Sequence, residues 1–406
     1  MAFIVKKFGG SSVATTAKIL GVAERVLKER KSDDKIVLVV SAMGDTTDEL
    51  ITMAKAISRD WDQREMDMLL STGEQVTIAL LAMAFQQLGA SAVSLTGAQA
   101  GIKTSGVHTK GRIIDVKPER ILAELNQGKI VVVAGFQGIN ATGDITTLGR
   151  GGSDTTAVAL AGALGADVCE IFTDVDGVYS ADPRVVKTAC RMKEITYNEM
   201  LEMARLGAVV MQPRAVEMGK HYGVPIHVRS TFTLEPGTII REEYTMKERD
   251  FIIRGVTHDL NVAKVAILGV PDQPGIAYTI FSALAAKAID VDMIVQSIRN
   301  ADKKIIDMVF TIAKPDLEQG KALVEQVVKD MGAIGVAIDQ DVAKVSVVGA
   351  GMYGSPGIAA AMFGALGEAG VNIEVISTSE ISISCLIKAE KVKDAVNAIH
   401  NQFFAE

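Results

Sequence analysis

Six short strand-like runs, at 2–6, 35–41, 92–95, 130–134, 168–173 and 226–229, one of them almost unbroken in apolar residues, set the frame for this chain. A run such as Lys35-Ile36-Val37-Leu38-Val39-Val40-Ser41 has no polar face, which is what a strand needs when helices cover both sides of its sheet. Between the runs the spacing changes. Ile19, Leu20, Ala23, Val26 and Leu27 recur at the helical period and predict a helix over about 16–31. Strand alternating with helix means an α/β unit with a parallel sheet, and ligands of such sheets sit beyond the carboxyl ends of the strands.

Four of the strand ends carry polar, glycine-bearing segments: Lys7-Phe8-Gly9-Gly10-Ser11-Ser12, Ser41-Ala42-Met43-Gly44, Gly135-Phe136-Gln137-Gly138 and Thr173-Asp174-Val175-Asp176-Gly177-Val178-Tyr179. Any one is an ordinary loop, but gathered on one sheet edge they read as a site. The most pointed stretch is Leu148-Gly149-Arg150-Gly151-Gly152-Ser153-Asp154-Thr155-Thr156, which opens a small-residue helix over about 157–164. Read blandly, it is a capped turn. Read as a site, it aims free backbone N–H groups, a guanidinium and a hydroxyl at an anion. Lys7 beside two glycines suits phosphoryl oxygens, although it could equally be a solvated strand-end lysine. No Walker A pattern is present. Glu74 stands where an apolar stripe (Val76, Ala79, Leu80, Met83) begins, and is either a first-turn acid favoured by the helix dipole or a partner for a substrate ammonium. Thr47 and Asp48, after Asp45, carry the same ambiguity between helix cap and ligand.

At 406 residues the chain is too long for one small core and predicts two or three domains. A net charge of −7 without a dense basic block argues against nucleic acid as a partner. Three scattered cysteines, Cys169, Cys190 and Cys385, fit a reducing compartment and no zinc spacing. The start lacks the pattern of a signal peptide, and no apolar run reaches the roughly 18 residues of a membrane span. A soluble cytoplasmic protein is the expectation.

Together with Ser71-Thr72-Gly73-Glu74, these segments resemble the aspartate kinases, which share the amino-acid kinase fold, and the likeness runs the whole chain. The resemblance implies transfer of the γ-phosphoryl of Mg-ATP to the side-chain carboxylate of L-aspartate. The product would be 4-phospho-L-aspartate, at the head of lysine, threonine and methionine biosynthesis. A carboxylate is already a nucleophile, so alignment and charge screening are all that this chemistry asks. Carried over by position, Lys7, Asp154 and Arg150 are the catalytic set, with Asp154 orienting Lys7. Thr47, Glu74, Gly135, Phe136, Arg150, Gly151, Gly152 and Ser153 would hold aspartate, with Arg150 on its α-carboxylate and Glu74 near its ammonium. Lys7, Phe8, Gly9, Gly10, Ser41, Thr173, Asp174, Tyr179 and Arg184 would hold ATP, with Mg2+ carried on the nucleotide and no metal ligand assigned to the protein. One stretch departs from the pattern. Where many relatives read Ala-Lys-Val-Leu-His-Pro, this chain has Ala208-Val209-Val210-Met211-Gln212-Pro213.

Beyond a charged stretch near 245–250 the chain repeats itself. Val265 to Ala277 matches Val345 to Ala360, and Asp290 to Ser297 matches Val371 to Thr378, about 80 residues on. Each copy resembles an ACT ligand-sensing domain, expected as βαββαβ. The second copy ends without its last strand, and 251–256 is the candidate to fill that edge. The fold class expected is therefore α/β: a parallel-rich sheet between helices over 1–245, then two α+β ACT domains. The first would span 263–340, inserted in a second made of 251–262 plus 341–406. Effectors, lysine or threonine, would sit on Asp272, Gln273, Pro274, Gly275, Ile276, Asp292, Met293, Ile294 and Gln296, and on Gly357, Ile358, Asn372, Ile373 and Glu374 in the second copy. Asp272 or Asp292 would meet the effector ammonium. Family likeness also implies a homodimer through the ACT domains, or a heterotetramer with a shorter regulatory subunit starting near Met246.

Three other readings compete. Gly349, Gly351 and Gly354, with Glu374 further on, fit a dinucleotide fingerprint, but fewer than 60 residues follow Gly349, too few for that fold. A catalytically dead sensor and a kinase for another acceptor such as glutamate share the remaining features.

Overall fold

The strand-like runs become adjacent strands of one sheet, and those without a polar face, such as 35–41 and 130–134, lie inside it, with neighbours on both edges. The structure, a computed structural model, describes residues 2–58, 60–243, 252–300, 305–352 and 354–404. The chain falls into two compact units. The first comprises Met1–Val178, Arg191–Ala204 and Val209–Lys247, and the second Tyr179–Cys190, Arg205–Ala208 and Glu248–Glu406.

In the first unit the elements run β1 (Phe3–Phe8), α1 (Thr16–Glu29), β2 (Lys35–Val40), α2 (Thr46–Ile57), α3 (Gln63–Gln87) and β3 (Ala92–Leu95). They continue through β4 (Ile102–Thr104), β5 (Ile113–Val116), α4 (Glu119–Asn126), β6 (Ile130–Ala134), β7 (Gln137–Ile139) and β8 (Ile145–Thr147). The unit closes with α5 (Gly152–Leu164), β9 (Val168–Thr173), β10 (Glu194–Thr196), α6 (Tyr197–Arg205), α7 (Pro213–Tyr222), β11 (Ile226–Ser230) and β12 (Thr238–Arg241). Eight strands form the main sheet in the order β10-β12-β11-β9-β1-β2-β6-β3, parallel except where β11 meets β12. A small sheet, β5-β4-β7-β8, stands apart from it. Phe8, Ile36, Leu38, Val40, Val132 and Phe172 close the core against α1 and α3.

Two helix starts differ from the sequence expectation, and both differences matter for the site. α5 begins at Gly152 rather than near 157, because Gly151 takes a left-handed φ of 70° and turns the chain straight into the helix. Ser153 and Asp154 thus lie in its first turn. α3 starts at Gln63, capped by Asp62, so Glu74 sits mid-helix and is not a first-turn acid. By length and composition α3 could cross a membrane. Its buried face, however, carries Asp67 and Glu74 and packs on α1 and β8, as a core helix does.

The second unit holds two four-stranded sheets. One is β15 (Val291–Asn300), β16 (Ile305–Ala313), β14 (Val262–Pro271) and β17 (Gly335–Asp339), in that order, with α8 (Ile276–Ala285) and α9 (Leu317–Met331) against it. The other is β13 (Gly255–Asp259), β18 (Val342–Val348), β20 (Ser382–Lys388) and β19 (Val375–Thr378), with α10 (Ile358–Glu368) and α11 (Val392–Phe404). β13 fills the edge beside β18, a few residues later in the chain than the 251–256 segment read from sequence, while Phe251 and the 244–250 stretch with Met246 lie outside the described residues. The glycines that mimic a dinucleotide fingerprint have a packing reason. A Cβ on Gly349 would come within 2.1 Å of the Ile252 carbonyl oxygen, and one on Gly351 within 2.9 Å of the Ile252 Cα.

Asp272, Gln273, Pro274 and Gly275 form an exposed loop into α8, with Ile276 opening the helix. Gly357 and Ile358 occupy the same place at the start of α10, and Asn372 and Ile373 lie in the irregular segment before Glu374. Ile294 and Gln296 are exposed on β15, whereas Met293 is buried. The acids beside these loops are already engaged. Asp292 accepts from Lys344 Nζ at 2.6 Å, and Glu374 pairs with Lys264 and, at 3.2 Å, with Lys388. Each repeat thus supplies a strand lysine to the other's acid. Asp292, expected as a counter-ion for an effector ammonium, is thus paired with Lys344 while its side chain stays exposed.

Candidate active site

Lys7 is the penultimate residue of β1, in register with Val39 of β2 and Ile171 of β9, so it sits at the carboxyl edge of the sheet's centre. Successive strand residues face opposite ways. Lys6 turns to Glu29 and Glu170, and Lys7 turns to α5, where its Nζ lies 2.6 Å from Asp154 Oδ1. Both members of the Lys7–Asp154 pair are buried. Asp154 stands in the first turn of α5, where the helix dipole stabilises a carboxylate. Beside it Ser153 Oγ accepts from Ser41 Oγ at 3.0 Å, and Gly135 lies so close that a Cβ there would be 2.7 Å from Ser153 Oγ.

Glu74 comes to the same place from α3. Its Oε1 accepts from the Ala42 N–H at 3.0 Å, one residue beyond Ser41, while its Oε2 is buried with no hydrogen-bond partner. Burial pushes this carboxyl up to about 7. A buried acceptor with nothing to accept from is costly, and a ligand ammonium is one way to satisfy it. Thr47 is half-buried in the first turn of α2, and Arg150 is exposed between Gly149 and Gly151, both at left-handed φ. Phe136 holds a φ of 67°, rare for a non-glycine residue. Its N–H donates to Thr156 Oγ1 and its carbonyl accepts from Leu148 N–H, which ties the Gly135–Gly138 turn to the glycine loop.

Of the residues matched to a nucleotide, Gly9 and Gly10 form the turn after β1, where a Cβ on Gly9 would come within 3.4 Å of Lys7 Nζ and one on Gly10 within 3.0 Å of the Ala42 carbonyl. Thr173 ends β9 and donates to Asp174 Oδ1. Phe8 is a correction. Its ring is buried and stacked on Phe172 at 4.6 Å between centroids, so only its backbone can face a ligand. Tyr179 and Arg184 belong by packing to the second unit, where the neighbouring Ala181 and Val186 enter a core with α10 and α11. Arg184 forks onto Asp182 at 2.8 Å. Among the described residues no group of three His, Cys, Asp or Glu side chains stands ready to hold a metal.

Sequence reasoning missed Asp67. Fully buried on α3, it accepts from the Thr109 N–H at 3.0 Å, from Thr147 Oγ1, and pairs with His108 Nδ1 at 2.7 Å. It holds the 108–111 loop against the site. The available signal was its spacing, seven residues before Glu74 and so on the same helix face.

The amino acid kinase family matches residues 2–230, and the ACT domain matches twice, over 264–329 and 345–403. The aspartokinase of Bacillus sp. (strain MGA3) is 50% identical over 403 residues, covering 99% of this chain and 97% of its own. The aspartate kinase of Synechocystis, a solved structure, is 44% identical with a TM-score of 0.56, over 99% of this chain and 69% of that one. E. coli aspartokinase III, solved in complex with aspartate and ADP, overlays with a TM-score of 0.82 over 99% of this chain and 100% of that one, at 24% identity, a likeness of fold. A lysine–aspartate pair at the sheet edge, a glycine loop opening α5, a duplicated ACT unit and half-identity along the full length of a relative are one consistent set, and the chain belongs to the aspartokinase family.

Proposed function

We propose that the chain transfers the γ-phosphoryl of ATP to the side-chain carboxylate of L-aspartate. A carboxylate oxygen of aspartate bonds to the γ-phosphorus as the bond from phosphorus to the β,γ-bridging oxygen breaks, giving 4-phospho-L-aspartate and ADP. The observation that carries this reading is the presence, at the carboxyl ends of the neighbouring strands β1 and β2, of a buried Lys7–Asp154 pair and a buried Glu74 whose Oε2 has no partner. Lys7 neutralises charge on the moving group, and Asp154 fixes its ammonium. Arg150 takes the α-carboxylate through its two-pronged guanidinium, and Glu74 takes the ammonium. Thr47, Gly135, Phe136, Gly151, Gly152 and Ser153 complete the aspartate side. The backbone of Phe8, Gly9 and Gly10, with Ser41, Thr173 and Asp174, forms the nucleotide side. Mg2+, brought by the triphosphate, supplies charge neutralisation there.

The chain divides, in this reading, into a kinase domain over 1–245, an inserted ACT domain over 263–340 and a second ACT domain from 251–262 plus 341–406. These bind lysine or threonine as regulators, and ACT domains pair two chains into a dimer or join a shorter regulatory subunit. ATP-dependent acyl phosphate trapped as hydroxamate, with aspartate and glutamate side by side, tests the reaction. Hydroxamate from glutamate and none from aspartate would replace this acceptor.

A further inference from the structure

The first turn of α7 is built around the glycine loop, yet none of its residues belongs to the loop's own motif. Arg214 donates from one guanidinium nitrogen to the Leu148 carbonyl at 2.7 Å and from the other to the Gly111 carbonyl at 3.0 Å. Leu148 leads directly into Gly149-Arg150-Gly151-Gly152, and Gly111 belongs to the segment that Asp67 anchors through Thr109. Gln212, two residues before Arg214, presses on the same loop from the other end. A Cβ on Gly151 would come within 1.8 Å of Gln212 Cγ, so the two positions are fitted to each other. Gln212 is also where this chain departs from the family pattern.

Arg150 itself is exposed and flanked by two left-handed glycines, a backbone with little stiffness of its own. The loop's own bonds, from Gly152 N–H to the Gly149 carbonyl and from Thr155 N–H to the Gly151 carbonyl, close its turn. From outside it is held by the two carbonyl clamps of Arg214, the wall made by Gln212 and the Leu148–Phe136 hydrogen bond.

We infer that Arg214 and Gln212 are positioning residues that set the aim of Arg150 and hence the affinity for the substrate's α-carboxylate. The inference rests on the aspartate-binding role proposed for Arg150. Neither residue touches the reacting atoms, so their loss acts on substrate binding more than on the phosphoryl transfer itself. A cavity of about 300 Å³ opens beside Arg214, between Arg112, Thr155, Glu217 and His221, and gives a small cation access to the vacated position in a truncated variant.

The experiment compares Arg214→Met, Arg214→Lys, Arg214→Ala and Gln212→Ala with wild type in full-length protein. The readouts are KM for aspartate, KM for ATP, kcat and melting temperature. Arg214→Met is expected to raise the aspartate KM about ten-fold or more, while kcat and the ATP KM move about two-fold or less. Arg214→Lys, which reaches one carbonyl, falls between the two, and Gln212→Ala shifts the same constant in the same direction. Millimolar guanidinium chloride is expected to restore part of the aspartate affinity of Arg214→Ala and to leave wild type unchanged. Should Arg214→Met fail to fold, the lysine and Gln212 variants carry the same test. An unchanged aspartate KM overturns the inference, as does a parallel fall of kcat, both affinities and melting temperature without rescue. If wild type makes no aspartyl hydroxamate, the proposed function itself fails. If it does, and Arg150→Lys weakens aspartate while the Arg214 variants do not, only the brace fails.

Discussion

Replacing Glu74 by Gln separates what the site needs from what the fold prefers. Burial pushes the Glu74 carboxyl up from 4.5 to about 7. The folded protein therefore holds this proton more tightly than the unfolded chain. Its stabilising effect is complete below the unfolded value of 4.5, declines as pH rises, and is lost above about 7. The amide introduced by Glu74→Gln does not titrate. In the variant, the side-chain oxygen can still accept from the Ala42 N–H, while an amide NH2 replaces the partnerless Oε2 and costs about 1–3 kcal/mol at every pH. The pH-independent penalty shifts the whole curve, and the titration sets its slope. Relative to wild type, the variant gains about 2 kcal/mol of stability between about pH 5 and about pH 8, the linkage of a shift of this size.

The measurement is urea unfolding of both proteins without aspartate across that range, followed by the fluorescence of Trp61, the chain's single tryptophan, just before α3. Other titrating groups cancel in the difference. A flat difference would refute the argument, because it would mean that Glu74 is not a destabilised buried carboxylate. The same ionisation governs binding. The aspartate KM of wild type should fall as pH rises towards about 7 and level off above it, as the carboxylate that meets the ammonium forms, and Glu74→Gln should lose that dependence together with most of its affinity.

Lys7→Ala should lower kcat by roughly two or more orders of magnitude, the scale of one lost preorganised contact, while the ATP KM changes much less; normal turnover would remove Lys7 from the reaction. Arg150→Lys should raise the aspartate KM far more than that of ATP, since an ammonium cannot copy a bidentate grip, and an equal rise in both would place Arg150 on the phosphate side. Titrating lysine and threonine, alone and together, should shift the aspartate saturation curve of wild type by about 5- to 150-fold in coupling, and Asp272→Ala should blunt the response. No effect of either amino acid on wild type would end the sensing proposal.

The sheet could be read in advance because β2 and β6 leave no polar face, and a central place between helices is what satisfies such runs. Lys7 could be located for the same reason, as the last cation before a strand ends in glycines. Glu74 could be named but not placed. Its helix begins at Gln63, eleven residues earlier, under an Asp62 cap that competes with several equally good polar starts nearby. The partners of Asp67 and Arg214 are backbone groups on segments far away in sequence, and such contacts leave no pattern of side chains to read. Phe8 was named without its mode of contact, because a motif marks a position without saying whether its side chain or its backbone does the work. Tyr179 and Arg184 were read as continuous with the kinase loop, whereas Ala181 and Val186 draw that stretch into another core.

The two ACT repeats show why internal symmetry in a sequence understates symmetry in the fold. Val262-Ala263-Lys264 and Val342-Ala343-Lys344 recur at the start of β14 and β18, and each lysine crosses to the other repeat's acid, Lys264 to Glu374 and Lys344 to Asp292. Val262 and Val342 meet Met293, Val375 and Leu386 in one small apolar cluster, so the exchange is packed as well as charged. Matching the repeats by sequence alone pairs Glu374 with Met293, whereas the ion pairs equate it with Asp292. The two acids then differ in what a ligand ammonium would have to displace. Burial works against the charge of Asp292, yet the Lys344 ammonium outweighs it and holds the carboxyl below its usual range. Asp292 is nevertheless largely open to solvent, and an exposed pair contributes only about 0–1 kcal/mol. Glu374 is better covered and held by two lysines. Breaking the exposed Lys344–Asp292 pair therefore costs less than breaking both lysine contacts of the better covered Glu374, so the two repeats are unequal in charge despite their shared sequence.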